Sequence, residues 1–173
     1  MNYAEIKNCD IANGPGVRVT LFVSGCTHHC QDCFNEMAWD FAYGEMFDQQ
    51  VEERMIALLQ PEYIAGLTLL GGEPLEYENW RGLLPFLRKV KTQYPVKNIW
   101  CYTGYRFEED VLGKFCIQWE EMQEFLSYID VLVDGEFILE QKDISLQFRG
   151  SRNQRIILVK ESLASGQTVL WRA

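Results

Sequence analysis

The sequence predicts an α/β fold with a mainly parallel, curved sheet, which forms an incomplete barrel and ends in a C-terminal hairpin. Short apolar runs alternate along the chain with amphipathic segments of helical period. The chain has 173 residues, enough for a full core but fewer than the roughly 200 that a closed eight-unit barrel needs. We therefore expect a single domain, residues 1–173, that binds ligands at the carboxyl ends of its strands.

Each apolar run predicts one strand in chain order. Parallel strands are expected at 17–23, 67–70, 98–102 and 131–133, because each run is short, apolar and separated from the next by a helical pattern. The runs 156–159 and 168–171 lie on either side of Ser165-Gly166, a turn dipeptide, and predict the hairpin.

Helices are expected at 49–59, 80–93 and 119–129. In each segment apolar residues recur every three or four positions, which places them on one face of a helix. These apolar positions are Val51, Met55, Ile56 and Leu59; Leu83, Leu84, Leu87 and Val90; and Met122, Phe125, Leu126 and Ile129.

Three cysteines lie within eight residues directly after the first predicted strand, in the segment Cys26-Thr-His-His-Cys30-Gln-Asp-Cys33. Clustered thiolates are ligands for soft metals and iron-sulfur clusters. Three ligands, rather than the four of a closed site, favour an iron-sulfur site with one exchangeable position. The alternative is a zinc-binding interaction module in which His28 or His29 is the fourth ligand. A disulfide framework is less favoured, because the spacing is close and the sequence shows no secretory signal segment.

A second motif, Gly71-Gly72-Glu73-Pro74, follows the strand expected at 67–70. Glycines at the end of a buried strand allow a ligand to approach the backbone closely. The carboxylate of Glu73 beside them would suit a ligand with an ammonium group. The alternative is an ordinary strand-to-turn junction with an exposed acid.

The two motifs in this order resemble those of the radical S-adenosylmethionine enzymes, whose fold is a barrel of this type. The resemblance implies that the three cysteines hold one [4Fe-4S] cluster and that S-adenosylmethionine chelates the fourth iron. It assigns Cys26, Cys30 and Cys33 to the cluster, and Gly71, Gly72 and Glu73 to the methionine end of the cofactor.

Contacts to the adenosine end of the cofactor are expected from other loops. By the resemblance, the stretch Asp32, Cys33 and Phe34 provides the adenine contact, although many family members have an aromatic residue where this chain has Asp32. Thr103 and Asp134 follow the third and fourth predicted strands, where a ligand would lie within reach. Asp134 would bond a ribose hydroxyl or a cationic group. The alternative for both positions is a capped turn with a solvated side chain.

Further segments narrow the resemblance to one group. The runs 13–18, 100–105, 130–137 and 148–157 are similar to those of the glycyl-radical activases that serve anaerobic ribonucleoside-triphosphate reductase. This implies an oxidoreductase that cleaves S-adenosylmethionine to methionine and a 5'-deoxyadenosyl radical, which takes hydrogen from a glycine. The implied partners are the large subunit of the reductase and a low-potential electron donor such as a flavodoxin. The alternative is a small-molecule radical enzyme such as a 7-deazaguanine synthase, which would lack the polar run 149–154.

The remaining polar and cysteine positions are expected to be structural. Cys9, Cys101 and Cys116 show no ligand spacing and are expected to be small buried side chains. His28 and His29 are expected to be loop residues that transfer no proton. Arg18, within a strand, is expected to pair with an acid and to have no catalytic role.

Charge and hydropathy restrict the function classes. The net charge of −9 and the pI near 4.7 argue against an electrostatic nucleic-acid binder. No apolar run is long enough to span a membrane. Free thiols and an oxygen-sensitive cluster would suit a reducing cytoplasm.

Overall fold

One seven-stranded sheet organises the computed structural model, which describes residues 1–172. The strands are β1 (Asn2–Asp10), β2 (Val17–Val23), β3 (Glu45–Met46), β4 (Ile64–Gly71), β5 (Asn98–Tyr102), β6 (Val131–Asp134) and β7 (Arg155–Leu158). Their order across the sheet is β3-β1-β2-β4-β5-β6-β7. The central strands β2, β4, β5 and β6 run parallel, while β1, β3 and β7 flank them in antiparallel pairing. This confirms the α/β class and the parallel centre of the sheet, which is open.

The connections between the parallel strands are helical. The α-helices are α1 (Gln49–Leu58), α2 (Tyr77–Gln93), α3 (Cys116–Gln118), α4 (Glu120–Tyr128) and α5 (Val159–Ser165), and a π-helix occupies Phe107–Phe115. The carboxylate of Asp48 accepts a hydrogen bond from the amide of Val51 and caps the first turn of α1. All three predicted helices are confirmed, although α2 begins three residues before its expected start at residue 80. No helix among residues 1–172 combines the length and hydropathy required to cross a membrane.

The two faces of the sheet carry different side chains. On the face covered by helices, Leu21, Leu69 and Cys101 are fully buried and pack against apolar side chains of the helices. This face therefore holds the main hydrophobic core. Because side chains of a strand alternate between faces, the intervening residues of the same strands point to the other face.

The opposite face, called the open face below, carries polar side chains and a cavity. Thr20, Thr68, Trp100 and Val131 occupy one row across β2, β4, β5 and β6. Here a small apolar cluster, which contains Trp100 and Val131, covers only one end of the sheet. The carboxyl ends of the four parallel strands border the cavity described below.

Arg18 lies fully buried on the open face and does not pair with an acid as expected. Its guanidinium donates hydrogen bonds to the hydroxyl of Thr68 (2.7 Å) and to the carbonyls of Leu67 (2.8 Å) and Asn98 (3.3 Å). Burial lowers the pKa of Arg18 to about 10. The side chain therefore joins strands β2, β4 and β5 through neutral acceptors.

The prediction of a C-terminal hairpin is right about which segments pair and wrong about the connection between them. Strand β7 leads directly into α5, which ends at Gly166 with a left-handed φ of 70°, a conformation that glycine adopts without strain. The returning chain still reaches β7, because Leu170 forms an antiparallel bridge with Ile157. The Ser165-Gly166 signal thus marks the end of a helix rather than a hairpin turn.

Strand β1 has no counterpart in the sequence prediction. Most of its residues are partly or fully exposed, so its sequence lacks the apolar run that marks a buried strand. The expectation that Cys9 is buried is wrong, since this cysteine of β1 is exposed. Cys101 is buried, as expected, and Cys116 is partly buried.

Candidate functional site

A cavity of about 450 Å³ opens at the carboxyl ends of β2, β4, β5 and β6. It brings together nearly all of the side chains that the sequence assigned to one site, although they come from three separate segments. The predicted residues that line it are Cys26, Cys30, Asp32, Cys33, Phe34, Gly71, Gly72, Glu73 and Thr103. Asp134 is the predicted site residue that does not line this cavity.

The loop that carries the cysteines, residues 24–35, is here called the cluster loop. Its start is held by backbone hydrogen bonds from Gly25 to the carbonyl of Ala38 (2.8 Å) and from Cys26 to that of Trp39 (3.1 Å). Asn79 of α2, almost fully buried, donates to the carbonyls of Ser24 (3.0 Å) and Glu73 (2.9 Å). The first cysteine therefore leaves the sheet from a fixed position. Sequence reasoning did not identify Asn79, since nothing local distinguishes it from other helical amides.

The three cysteines of the cluster loop are free thiols on one cavity wall. Burial raises the pKa of Cys26 to about 12 and also raises that of Cys30, so both thiols are protonated unless a cationic centre displaces the protons. Within residues 1–172, no three or more His, Cys, Asp or Glu side chains lie close enough together to hold a single metal ion as they stand. In a four-iron cluster each thiolate binds a different iron. The three thiols that line one cavity supply the donor type that an iron-sulfur cluster takes.

Gly72 and Glu73 continue the pairing of β4 with β2 beyond Gly71, the last strand residue. The amide of Gly72 donates to the carbonyl of Val23 (2.7 Å), and the amide of Glu73 donates to that of Gly25 (2.8 Å). A Cβ atom on Gly71 would lie 2.6 Å from the amide nitrogen of Val23, and one on Gly72 would lie 2.6 Å from the carbonyl oxygen of Gly25. Both glycines are thus required by the close approach of the protein's own backbone, whatever else approaches from the cavity.

The carboxylate of Glu73 is buried, with only 1% of the residue exposed. One oxygen accepts hydrogen bonds from the amide of Gly104 (2.7 Å) and from the ring of His28 (3.0 Å), and the other accepts one from the amide of Leu75 (2.8 Å). Glu73 is therefore not the exposed acid of an ordinary turn. Its side chain connects the loop after β4 to the loop after β5.

His28 lies between two carboxylates. Its Nε2 atom is 3.0 Å from Glu73, and its Nδ1 atom is 2.8 Å from Glu136, in the loop after β6. Burial would lower the pKa of His28, but the hydrogen bonds and charges of Glu73 and then Glu136 raise it to about 9. Only the doubly protonated ring can donate to both acids. His28 is a loop residue as expected, but its contacts are missed by sequence reasoning because its partners lie 45 and 108 residues away.

Thr103 and Asp134 have different surroundings. Thr103 is buried at the end of β5, lines the cavity and accepts a hydrogen bond from the amide of Tyr105 (3.1 Å). The carboxylate of Asp134 accepts hydrogen bonds from Arg155 and from the amide of Phe107 (2.9 Å), and it lines a separate neighbouring cavity. The cationic group that contacts Asp134 in this structure is thus a side chain of the same protein. A contact between Asp134 and ribose stays a prediction.

Asp32 and Phe34 stand at the rim of the cavity. Asp32 has a left-handed φ of 58° and forms an ion pair with Lys142 (3.1 Å), so that the cluster loop contacts the segment after β6. The side chain of Phe34 is exposed to 76%. Neither residue is enclosed, and each remains accessible to a ligand that enters the cavity.

The polar run 149–154 uses many of its hydrogen-bonding groups within the protein. The side-chain carbonyl of Gln154 accepts from the amides of Gly150 (2.8 Å) and Ser151 (3.1 Å). The side-chain amides of Gln154 and Asn153 donate to the carbonyls of Gly135 (3.0 Å) and Glu136 (2.8 Å). The run therefore holds the loop after β6, while Arg149, Gly150 and Gln154 also line the cavity.

Comparison with known proteins supports the chemistry inferred from this geometry. A family model described as "4Fe-4S single cluster domain" matches residues 12–157. A protein of Haemophilus influenzae is 48% identical over 158 residues, which cover 90% of this chain and 97% of that protein. Proteins of Escherichia coli K12 (40% over 156 residues, 89% of this chain and 96% of that protein) and of Enterobacteria phage T4 (39% over 158 residues, 90% and 93%) are also similar. All three bear the name "anaerobic ribonucleoside-triphosphate reductase-activating protein".

Proposed function

The chain belongs to the family of anaerobic ribonucleoside-triphosphate reductase-activating proteins, and we propose that it generates the glycyl radical of such a reductase. The observation that carries this proposal is the convergence on one cavity of the three cysteines and the Gly71–Glu73 segment. The relatives do not favour the small-molecule radical enzyme or the zinc-binding module.

Different residues of the cavity would bind the iron-sulfur cluster and S-adenosylmethionine. Cys26, Cys30 and Cys33 would bind three irons of one [4Fe-4S] cluster. The backbone of Gly71–Glu73, which borders the same cavity, would receive the methionine end of S-adenosylmethionine. When bound, the two groups would supply a one-electron reductive cleavage that yields methionine and a 5'-deoxyadenosyl radical, which removes a hydrogen atom from a glycine α-carbon.

The protein's own residues would orient these groups and keep water away from them. Apolar side chains such as Leu70, Phe137 and Phe148 line the cavity beside the cysteines, and they disfavour bulk water there. The adenine contact is assigned to Asp32, Cys33 and Phe34, at the accessible rim. Thr103 contributes a buried hydroxyl at the cavity wall. Such an arrangement would favour one reaction of a short-lived radical over its side reactions.

The partners follow from the reaction. The target would be a glycine near the C-terminus of the large reductase subunit, which must enter the open mouth of the cavity. A low-potential donor such as a flavodoxin would supply the electron, and a reducing cytoplasm would preserve the thiols. A partial radical S-adenosylmethionine barrel, with the open face of the sheet as its interior, is the fold that this proposal implies.

The test is an anaerobic mixture of the reconstituted protein, a candidate reductase, S-adenosylmethionine and a reductant, followed by electron paramagnetic resonance. We expect the doublet signal of a glycyl radical on the reductase. The matched control omits S-adenosylmethionine and should give no doublet. Cleavage of S-adenosylmethionine without any doublet would instead support an enzyme that acts on a small molecule, and the absence of cleavage would contradict the radical chemistry altogether.

A further inference from the structure

The ring of His28, which lies in the chain between two of the cysteines, has fixed partners on several sides. The ring is nearly buried, with 10% of its side chain exposed, and both nitrogens face carboxylates of other loops. It also packs edge-on against the ring of Tyr105, with centroids 4.4 Å apart. A surface loop histidine would have no such fixed partners.

The surrounding backbone is shaped to admit this ring. A Cβ atom on Gly104 would lie 2.7 Å from the imidazole of His28, so a larger residue at this position would displace the ring. Two cavities share three lining residues, His28, Gly104 and Gly135. One is the cavity of about 450 Å³ that the cysteines line, and the other, of about 740 Å³, is lined by Asp134. The ring therefore forms part of the wall between two cavities.

His28 also connects three strand ends. It belongs to the loop after β2, Glu73 belongs to the loop after β4, and Glu136 belongs to the loop after β6. The amide of Gly104 adds the loop after β5 to the same carboxylate of Glu73. All four parallel strands of the sheet thus meet in one network of hydrogen bonds.

We infer that His28 is a positioning residue that fixes the cluster loop relative to the Gly71–Glu73 segment by bridging Glu73 and Glu136. The inference rests on the proposed function, because it concerns the distance between the cysteines and the segment proposed to bind the methionine end of S-adenosylmethionine. Replacing a residue that orients the ligands of a metal site typically lowers affinity or activity about 10- to 100-fold. In this scheme His28 acts through Glu73 and the cluster loop.

The test compares His28→Asn with His29→Asn, a matched control in the same loop. His29 is exposed and stacks on Trp39 rather than bridging carboxylates. Each protein is reconstituted with iron and sulfide, and iron content and thermal unfolding are recorded first. The dissociation constant of S-adenosylmethionine is then measured by equilibrium dialysis without a reductant, so that binding is observed in the absence of cleavage.

We expect His28→Asn to retain the cluster and to bind S-adenosylmethionine about 10-fold more weakly, whereas His29→Asn binds it as the wild type does. In cleavage assays, KM for S-adenosylmethionine should rise more than kcat falls. A purely structural role would instead lower the thermal stability and leave the dissociation constant of the folded protein unchanged, and that result would overturn the inference.

Glu136→Ala provides a second variant in case His28→Asn does not hold a cluster. The side chain of Glu136 is 56% exposed, so its removal should not disturb folding. We expect weaker binding in this variant. Where His28→Asn does hold a cluster, the same change in that background should have a much smaller effect, because both changes break one bridge. Wild-type binding by Glu136→Ala, or two effects that simply add, would contradict the bridge. A wild-type protein that binds no S-adenosylmethionine would refute the proposed function together with this inference.

Discussion

The two faces of the central sheet come from the same strands but differ in chemistry. In β4, Leu69 packs into the helix-covered core, while its neighbours Thr68 and Leu70 point to the open face. On the helix-covered face, burial is achieved by apolar contacts that need no specific partner. On the open face, several buried polar groups have defined hydrogen-bond partners, as in the contact between Arg18 and Thr68.

The two faces stabilise the protein in different ways, and only one of them borders the site. Apolar packing tolerates small changes of position, because dispersion and the hydrophobic effect are not directional. Hydrogen bonds between buried groups require correct distances and angles, so they fix the loops that leave the strands. We therefore expect changes on the helix-covered face to reduce stability through lost burial, and changes on the open face to act through lost hydrogen bonds that hold the strands and the loops of the site.

The largest expected effect comes from comparing Cys30, which lines the cavity, with Cys101, which lies in the helix-covered core. Cys30→Ala should lose cleavage of S-adenosylmethionine completely, because the cluster would lack one of its three proposed thiolates. Cys101→Ala, in the helix-covered core, should keep the cluster and cleavage while losing about 1 kcal/mol of unfolding free energy. Iron content, a cleavage assay and urea denaturation distinguish the two. A Cys30→Ala protein that cleaves S-adenosylmethionine at the wild-type rate would contradict the proposed role of Cys30 as a cluster ligand.

The next largest effect is on stability alone. Leu69 is fully buried against the helices, so Leu69→Ala should reduce the unfolding free energy by about 2–5 kcal/mol through lost burial and a residual cavity. The fraction that remains folded should bind iron normally. Urea denaturation measures the loss, and Leu163→Ala, at a partly exposed site on α5, is the control with little expected change. Equal losses in the two variants would contradict the assignment of the core.

Arg18 sharpens the comparison on the open face. Arg18→Leu leaves the carbonyls of Leu67 and Asn98 without their guanidinium partner, so we expect a loss of about 1–3 kcal/mol in the unfolding free energy. Arg18→Lys keeps a charge but cannot reproduce the planar set of donors, and it should recover only part of the loss. Full stability of Arg18→Leu in urea denaturation would show that these hydrogen bonds contribute nothing net.

The smallest expected effect concerns an exposed ion pair. Hydrogen bonds from Arg155 hold the pKa of Glu108 at about 2, below its usual value of 4.5. The pair therefore stabilises the fold above pH 4.5, and this contribution is lost as the pH falls toward 2. Because the side chain of Glu108 is 44% exposed, we expect the pair to contribute about 1 kcal/mol or less to the free energy of unfolding.

Glu108→Gln tests this pair. The variant should remove that part of the pH dependence and change little else, as measured by denaturation at several pH values. An unchanged pH profile in the variant would assign the acid sensitivity to other carboxylates.

Prediction from sequence succeeded where the signal is local. The amphipathic periods located α1, α2 and α4, and the apolar runs located the four parallel strands. It failed for β1, whose exposed side chains give no apolar run, and at Ser165-Gly166, because one dipeptide serves both hairpins and helix ends. The wrong expectation for Cys9 follows from the same missing strand.

The sequence by itself supplied the motifs on which the proposed chemistry of this protein rests. The spacing of Cys26, Cys30 and Cys33 and the Gly71–Glu73 segment are short patterns, and each lies next to an apolar run that marks its strand. Only the tertiary structure decided which side chains meet. It directed Asp134 toward Arg155, satisfied both oxygens of Glu73 and placed His28 between two acids. The physical reason is that these contacts join residues far apart in the chain, so they depend on the order of strands in the sheet rather than on any local preference.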